Sequence, residues 1–284
     1  MHHSLAVVFD FDDTLVPDST TQFLRSKGID TEKFWGQQAK GLISKGYDPA
    51  MAFLRLFLDN VGPTKPLGAL KNSDLRAFGK RLDSTFYPGI PGLFRDLRKT
   101  VAGYPNISID FYIISGGLRD MVEGSTVVAK NFKAVYGCQL EEDAASGYLA
   151  HIMRCVTFTE KTRYLFEINK GLSQSDTNSN PYLVNKPVEE KARDVPISNI
   201  IYVGDGLTDV PCFSVVQKNG GMAFGVFDPS TEKSAKKALI EFLKPKRVTS
   251  THAPRYRKTD ELGAFLRAAV ATRCSDIALA EKQA

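Results

Sequence analysis

The sequence is poor in several things that would place it in a special class. Its 284 residues include only four cysteines, Cys138, Cys155, Cys212 and Cys274, far apart and without a CxxC pair. They share no metal-ligand spacing with the four histidines. This argues against a disulfide scaffold or a zinc module and predicts reduced thiols. Long apolar runs are missing too. Leu5–Phe9 is too short for a signal-peptide core and meets acids at once, and no run approaches the roughly 20 residues of a membrane span. The expectation is a cytoplasmic protein without a membrane partner. Strong charge of one sign is also absent: a formal net charge of +5 is small for this length and names no partner. What remains, 43% hydrophobic residues, is enough for a proper core.

Periodicity gives the class. Leu5–Phe9, Ile107–Ile114, Asn199–Val203 and Gly221–Val226 are short apolar or β-branched runs ended by Gly, Asp or Ser, as in strands buried on both faces. Helical patterns separate them. Leu93, Phe94, Leu97 and Val101 share one face, and Ala235, Leu239 and Phe242 follow a serine cap. The expected fold class is α/β, a Rossmann-like, doubly wound parallel sheet. Phe132–Tyr136 offers another strand, with a hairpin over Gln139–Leu149.

One region breaks the alternation. From Ser19 to Tyr87 the pattern is helical: Asp48 caps a helix opened by Pro49, with Met51, Leu54, Leu58 and Val61 as its apolar stripe and Gly62 as its stop. Leu75, Phe78 and Leu82 repeat the theme. The predicted organisation is a core of residues 1–18 and 88–284, with residues 19–87 as an inserted helical subdomain. Residues 173–194 are polar and rich in breakers, and read as a surface excursion.

The chemistry collects at strand ends. Asp10-Phe-Asp12-Asp13-Thr14 follows the first strand, Ser115-Gly116-Gly117 follows the second, and Gly204-Asp205-Gly206-Leu207-Thr208-Asp209 follows "NIIYV". In an open parallel sheet these ends form one crevice. Carboxylates packed there repel by about 4 kcal/mol per close pair at an effective dielectric near 20, so Asp10, Asp12, Asp205 and Asp209 call for a cation. A hard divalent ion such as Mg²⁺, held by carboxylates and a substrate phosphate, suits oxygen donors. Asp10 and Asp12, one residue apart at a turn, can both reach one phosphorus, so that one attacks while the other handles protons. Asp13 reads as a solvated turn residue.

These motifs resemble those of haloacid-dehalogenase superfamily hydrolases, particularly the phosphoserine-phosphatase-like branch. DxDx[TV] matches Asp10–Thr14, the Ser-ended strand matches Ser115-Gly-Gly, GDxxxD matches Gly204–Asp209, and the family's lone lysine matches Lys161 in "VTFTEKTRYLFEINKG". The resemblance implies a Mg²⁺-dependent phosphatase for a small phosphorylated metabolite. Asp10 would be the nucleophile, forming an aspartyl-phosphate, and Asp12 the acid and then base. The metal would sit on Asp10 and Asp205, the Asp12 main-chain carbonyl, and Asp209 directly or through water. Phe11, Ser115, Gly116 and Lys161 would hold the phosphoryl group, and Thr14 would brace the loop. The helical insertion falls where the family carries its cap.

Other readings have their own signatures. A dehalogenase lacks the proton-handling acid that Asp12 supplies. Phosphoryl transfer to an acceptor other than water fits the same residues, and so does a binding protein that keeps the fold without turnover. Phosphoserine phosphatases carry a glutamate about nine residues past the nucleophile, whereas this chain has Pro17-Asp18-Ser19 there, which argues against phosphoserine. Trp35 reads as core. The basic run of residues 244–258 reads as a solvated linker into a last helix, capped at Thr259 and apolar at Leu262, Phe265, Leu266 and Val270. No nucleic-acid-binding module accompanies it.

Overall fold

Phe9 lies level with both Ile113 and Val203 in neighbouring parallel strands, and that register determines where the chemistry falls. The computed structural model describes residues 2–283. Its seven strands are β1 (His3–Phe9), β2 (Ile107–Leu118), β3 (Ala134–Glu142), β4 (Leu149–Arg154), β5 (Ile200–Gly204), β6 (Met222–Val226) and β7 (Ser250–His252). They form one sheet in the order β4-β3-β2-β1-β5-β6-β7. Only the β3–β4 hairpin is antiparallel. The fold is therefore the expected α/β class. β1 is central, with β2 on one side and β5 on the other, so chain order reverses across it. That crevice is where ligands bind in such sheets.

The strands form because their residues can be buried on both faces. β1 is buried from Ser4 to Phe9, and β5 along its whole length. Leu93, Phe94, Leu97 and Val101 of helix Gly92–Val101 pack inward as their spacing predicts. Between β1 and β2 the described chain is helical and without a strand. Phe23, Leu24, Leu54 and Phe57 from this stretch join the same hydrophobic cluster as the sheet. No helix is long and apolar enough to cross a membrane among the described residues.

Several local expectations need correction. Helix Pro49–Asp59 is capped by Asp48 as expected, but it buries Ala52, Leu54 and Phe57 and leaves Met51 exposed. Leu54 and Val61 of the expected stripe are buried, but Phe57, stacked on Phe23 at 5.8 Å, takes the inward place expected of Met51. The helix after Thr231 turns from α (Glu232–Lys237) to π (Ala238–Leu243). The wider turn brings Ala238 and Phe242 inward and leaves Ala235 and Leu239 exposed. Residues 173–194 wind into short helices, because Ser173 and Asp176 form a reciprocal cap and Asn180 caps the turn opened by Pro181.

The basic run is more than a linker. It supplies edge strand β7 and then Tyr256, which is fully buried and donates its hydroxyl to Thr14 O at 2.6 Å. In helix Glu261–Gln283, Leu262, Leu266 and Val270 are buried as expected. Phe265 is half exposed, lying against the His252 ring.

Candidate active site

Because Phe9, Ile113 and Val203 share a level, the next residues of each strand leave the sheet at the same end. Asp10 and Asp12 follow β1, and Asp205 follows β5. Ser115, Gly116 and Gly117 occupy the interruption between Ile114 and Leu118, where the β2–β3 register shifts. The strand resumes at Leu118 opposite Cys138 and a helix begins at Arg119, so Ser115, Gly116 and Gly117 sit on a bulge just before it. A cavity of about 180 Å³ opens over these residues, lined by Asp10, Asp12, Ser115, Gly116, Lys161 and Asp205 among others.

One carboxylate oxygen from each of Asp10, Asp205 and Asp209 lies within 4.8 Å of the others. The three are not equivalent. Asp209 accepts three protein hydrogen bonds, from Lys161 Nζ at 2.7 Å and Tyr202 Oη at 2.8 Å on one oxygen and from the Gly206 N–H at 3.0 Å on the other. Asp10 accepts from the Phe11 N–H at 2.8 Å and lies 3.1 Å from Lys161 Nζ. No hydrogen-bond donor meets the Asp205 carboxylate among the described residues; only its main-chain oxygen accepts, from Lys237 Nζ at 3.1 Å. Burial, together with repulsion from Asp10 and Asp209, raises the pKa of Asp205. Hard oxygen donors that repel one another, one of them unpartnered, suit a divalent cation. The Asp205 carboxylate is free to ligate it, and Asp10 and Asp209, both in contact with Lys161, complete the acidic group.

Asp12 stands apart from that acidic group. Its Oδ1 accepts from the Ser19 N–H at 2.7 Å, and its Oδ2 lies over Gly117. A Cβ at Gly117 would come within 2.6 Å of that oxygen, so glycine is what lets the carboxylate approach. The two aspartates differ electrostatically. Burial lifts the pKa of each, but Lys161 opposes the rise at Asp10, whereas the nearby Asp18 carboxylate reinforces it at Asp12. Lys161, although wholly buried, is held in its charged form by Asp10 and Asp209.

The remaining predicted residues fall as follows. Ser115 is buried and its Oγ accepts from the Gly117 N–H at 2.9 Å. The Phe11 side chain is buried beside Phe86, so only its main chain faces the site. Thr14 is buried, with its hydroxyl unpaired. Asp13 is exposed, with φ of 53°. Trp35 packs partly buried against the core, as expected, and also lines the cavity together with Phe53, Asp18 and Thr20.

Comparison with known structures agrees with this fold. A Salmonella enterica serovar Typhi HAD family hydrolase matches at a TM-score of 0.57 and 16% identity, over 89% of this chain and 68% of its own. A probable phosphoserine phosphatase from Vibrio cholerae matches at 0.54 and 16%, over 96% and 66%. The chain has the fold of the haloacid-dehalogenase superfamily, in its phosphoserine-phosphatase-like form. It also belongs to one family with an uncharacterised protein of Borreliella burgdorferi, 30% identical over 264 residues, which are 84% of this chain and 87% of that one. No family model matches.

Within this haloacid-dehalogenase fold, Tyr202 and Tyr256 escaped sequence reasoning, and the motif glycines Gly204 and Gly117 gain a physical role. Tyr202 is the one hydroxyl in the strand "IIYVG", and it points at Asp209. Gly204 has no side chain because a Cβ would sit 2.6 Å from Asp209 Cγ, which gives the glycine of GDxxxD a physical reason. Gly117 makes room for Asp12. Tyr256 braces Thr14 from the far end of the chain and left no local signal.

Proposed function

We propose that the chain is a cytoplasmic, Mg²⁺-dependent phosphomonoester hydrolase acting on a small phosphorylated metabolite. The observation that carries this reading is the buried Lys161 between Asp10 and Asp209, with the unpartnered Asp205 beside them and Asp12 on the next turn of the loop. Asp10 and Asp205, with the Asp12 carbonyl and with Asp209 directly or through water, would hold the ion. Once bound, it supplies positive charge that offsets the carboxylates and the phosphoryl oxygens.

The chain's own residues do the rest. Lys161 Nζ and Ser115 Oγ orient the phosphoryl oxygens, and Asp209 with Tyr202 fixes the ammonium. The Asp10 carboxylate attacks phosphorus, the bond to the alcohol oxygen breaks, and Asp12 gives that oxygen its proton. Asp12 then takes a proton from water, which attacks the aspartyl-phosphate, releases inorganic phosphate and regenerates Asp10. Two carboxyl groups driven apart in proton affinity suit these separate roles: Asp10 beside a cation is the anion, and Asp12 beside Asp18 is the acid. Residues 19–87 would act as the cap over the core formed by 1–18 and 88–284, and the side chains they place over the cavity exclude water.

Hydrolysis of an aryl phosphate, with Mg²⁺ and with a chelator, tests the reading. Turnover that needs the ion and acid-stable labelling of Asp10 by substrate phosphate are expected. Turnover unchanged in Asp10→Asn would falsify it.

A further inference from the structure

The cavity over the aspartates has a second wall, built by residues that touch none of the reacting atoms. Asp18 and Thr20 at the start of helix Ser19–Ser26, Trp35 and Phe53 form it. The only cation in the lining is Lys161, already bound to Asp10 and Asp209. Nothing in this wall could pair with a carboxylate or second phosphate on the substrate's alcohol. At about 180 Å³ the cavity is also smaller than the roughly 300–1,000 Å³ typical of drug-sized ligands.

Its chemistry favours positive charge. Asp18 spends Oδ1 on the Thr21 N–H at 2.7 Å and forms no ion pair among the described residues. The Trp35 indole is fixed by donation to Thr21 Oγ1 at 2.8 Å and by an edge contact with Phe34 at 4.9 Å. Its ring lies 5.9 Å from that of Phe53. Two held aromatic rings and an unpaired carboxylate make a site for an ammonium group. The wider charge balance agrees. Asp10, Asp12, Asp13, Asp18 and Asp205 line the cavity against Lys161, and a divalent ion is largely offset by the substrate's phosphate. A further positive group on the alcohol relieves this excess, and a further acid adds to it.

We propose that the substrates are phosphate monoesters of small amino alcohols, with the ammonium group seated between Asp18, Trp35 and Phe53. This rests on the hydrolase reading above and names the substrate class of the same site.

The test compares kcat/KM, with Mg²⁺ present, for phosphoethanolamine and phosphocholine, for neutral glycerol phosphate, for acidic 3-phosphoglycerate and for an aryl phosphate. An ammonium ester is expected to exceed glycerol phosphate by about tenfold, the scale of a desolvated cation–aromatic contact, and 3-phosphoglycerate by more. Asp18→Asn keeps a good helix cap and should lower the ammonium-to-neutral ratio about fivefold or more, chiefly through KM; Trp35→Leu should do the same, with thermal melts confirming that both fold. Preference for the neutral or acidic ester, or a ratio unmoved by either substitution, overturns the proposal. If the aryl phosphate is hydrolysed while ammonium esters are not preferred, the substrate class alone fails; if nothing is hydrolysed, the hydrolase reading fails with it.

Discussion

Lys161 and Asp209 form a buried pair, Nζ to Oδ1 at 2.7 Å, with Asp10 3.1 Å from the same ammonium. Neither member could be buried alone. Lys161→Met leaves two carboxylates without their cation, and breaking such a pair from one side costs about 3–5 kcal/mol. Urea unfolding should show a loss of that order, and aryl phosphate turnover should fall at least about 100-fold. A variant as stable as the parent would mean the lysine is dispensable to this cluster.

Asp10→Asn has the opposite character. Lys161 keeps its closer partner Asp209 at 2.7 Å when Asp10 loses its charge, and the amide oxygen still accepts one of the two bonds made by the carboxylate. We expect a melting temperature close to the parent's and no measurable turnover.

The glycines that give the aspartates room should be intolerant of a methyl group. In Gly204→Ala the new Cβ meets Asp209 Cγ at 2.6 Å, and overpacking of this kind costs about 1–3 kcal/mol. Gly117→Ala presses on Asp12 instead, so its expected signature is lost turnover with a smaller loss of stability. Denaturation midpoints and kcat measured side by side distinguish the two.

Asp83 gives a pH dependence. It accepts from Ser125 Oγ at 2.6 Å, from the Thr126 and Val127 N–H groups, and from the Thr126 hydroxyl. Burial alone would raise its pKa, but these bonds outweigh it and hold the carboxyl below its usual value of 3.8. Because the folded-state pKa is depressed, its stabilisation is complete above the unfolded value and fades as pH falls through the folded one. Asp83→Ala should therefore cost about 1–3 kcal/mol near neutrality, and less once pH drops below the usual carboxyl value of 3.8. A gap independent of pH would count against this bonding.

The sequence exposed the sheet and the crevice for a simple reason. Parallel strands buried on both faces read as apolar runs, and their carboxyl ends are where Asp10, Ser115 and Asp205 stand. Which side chain a helix turns inward was less legible: Phe57 outcompetes Met51 for the interior only because Phe23 waits opposite it. β7, three residues in a basic run, is too short to show a period. The partnership of Tyr202 with Asp209 needs the turn after β5 to be folded first. Trp35 looked like core because an aromatic residue on a helix usually is, and only the folded insertion shows its ring at the cavity.

Tyr256→Phe removes a single hydrogen bond, to Thr14 O, and should cost about 1 kcal/mol. It should also lower turnover, since that carbonyl belongs to the loop bearing Asp10 and Asp12.

That bond spans 242 positions along the chain. Because a chain is made from its N-terminal side, the loop that carries both aspartates is always synthesised before the hydroxyl that steadies it, so a nascent chain that has not yet reached Tyr256 holds this acidic loop without its brace.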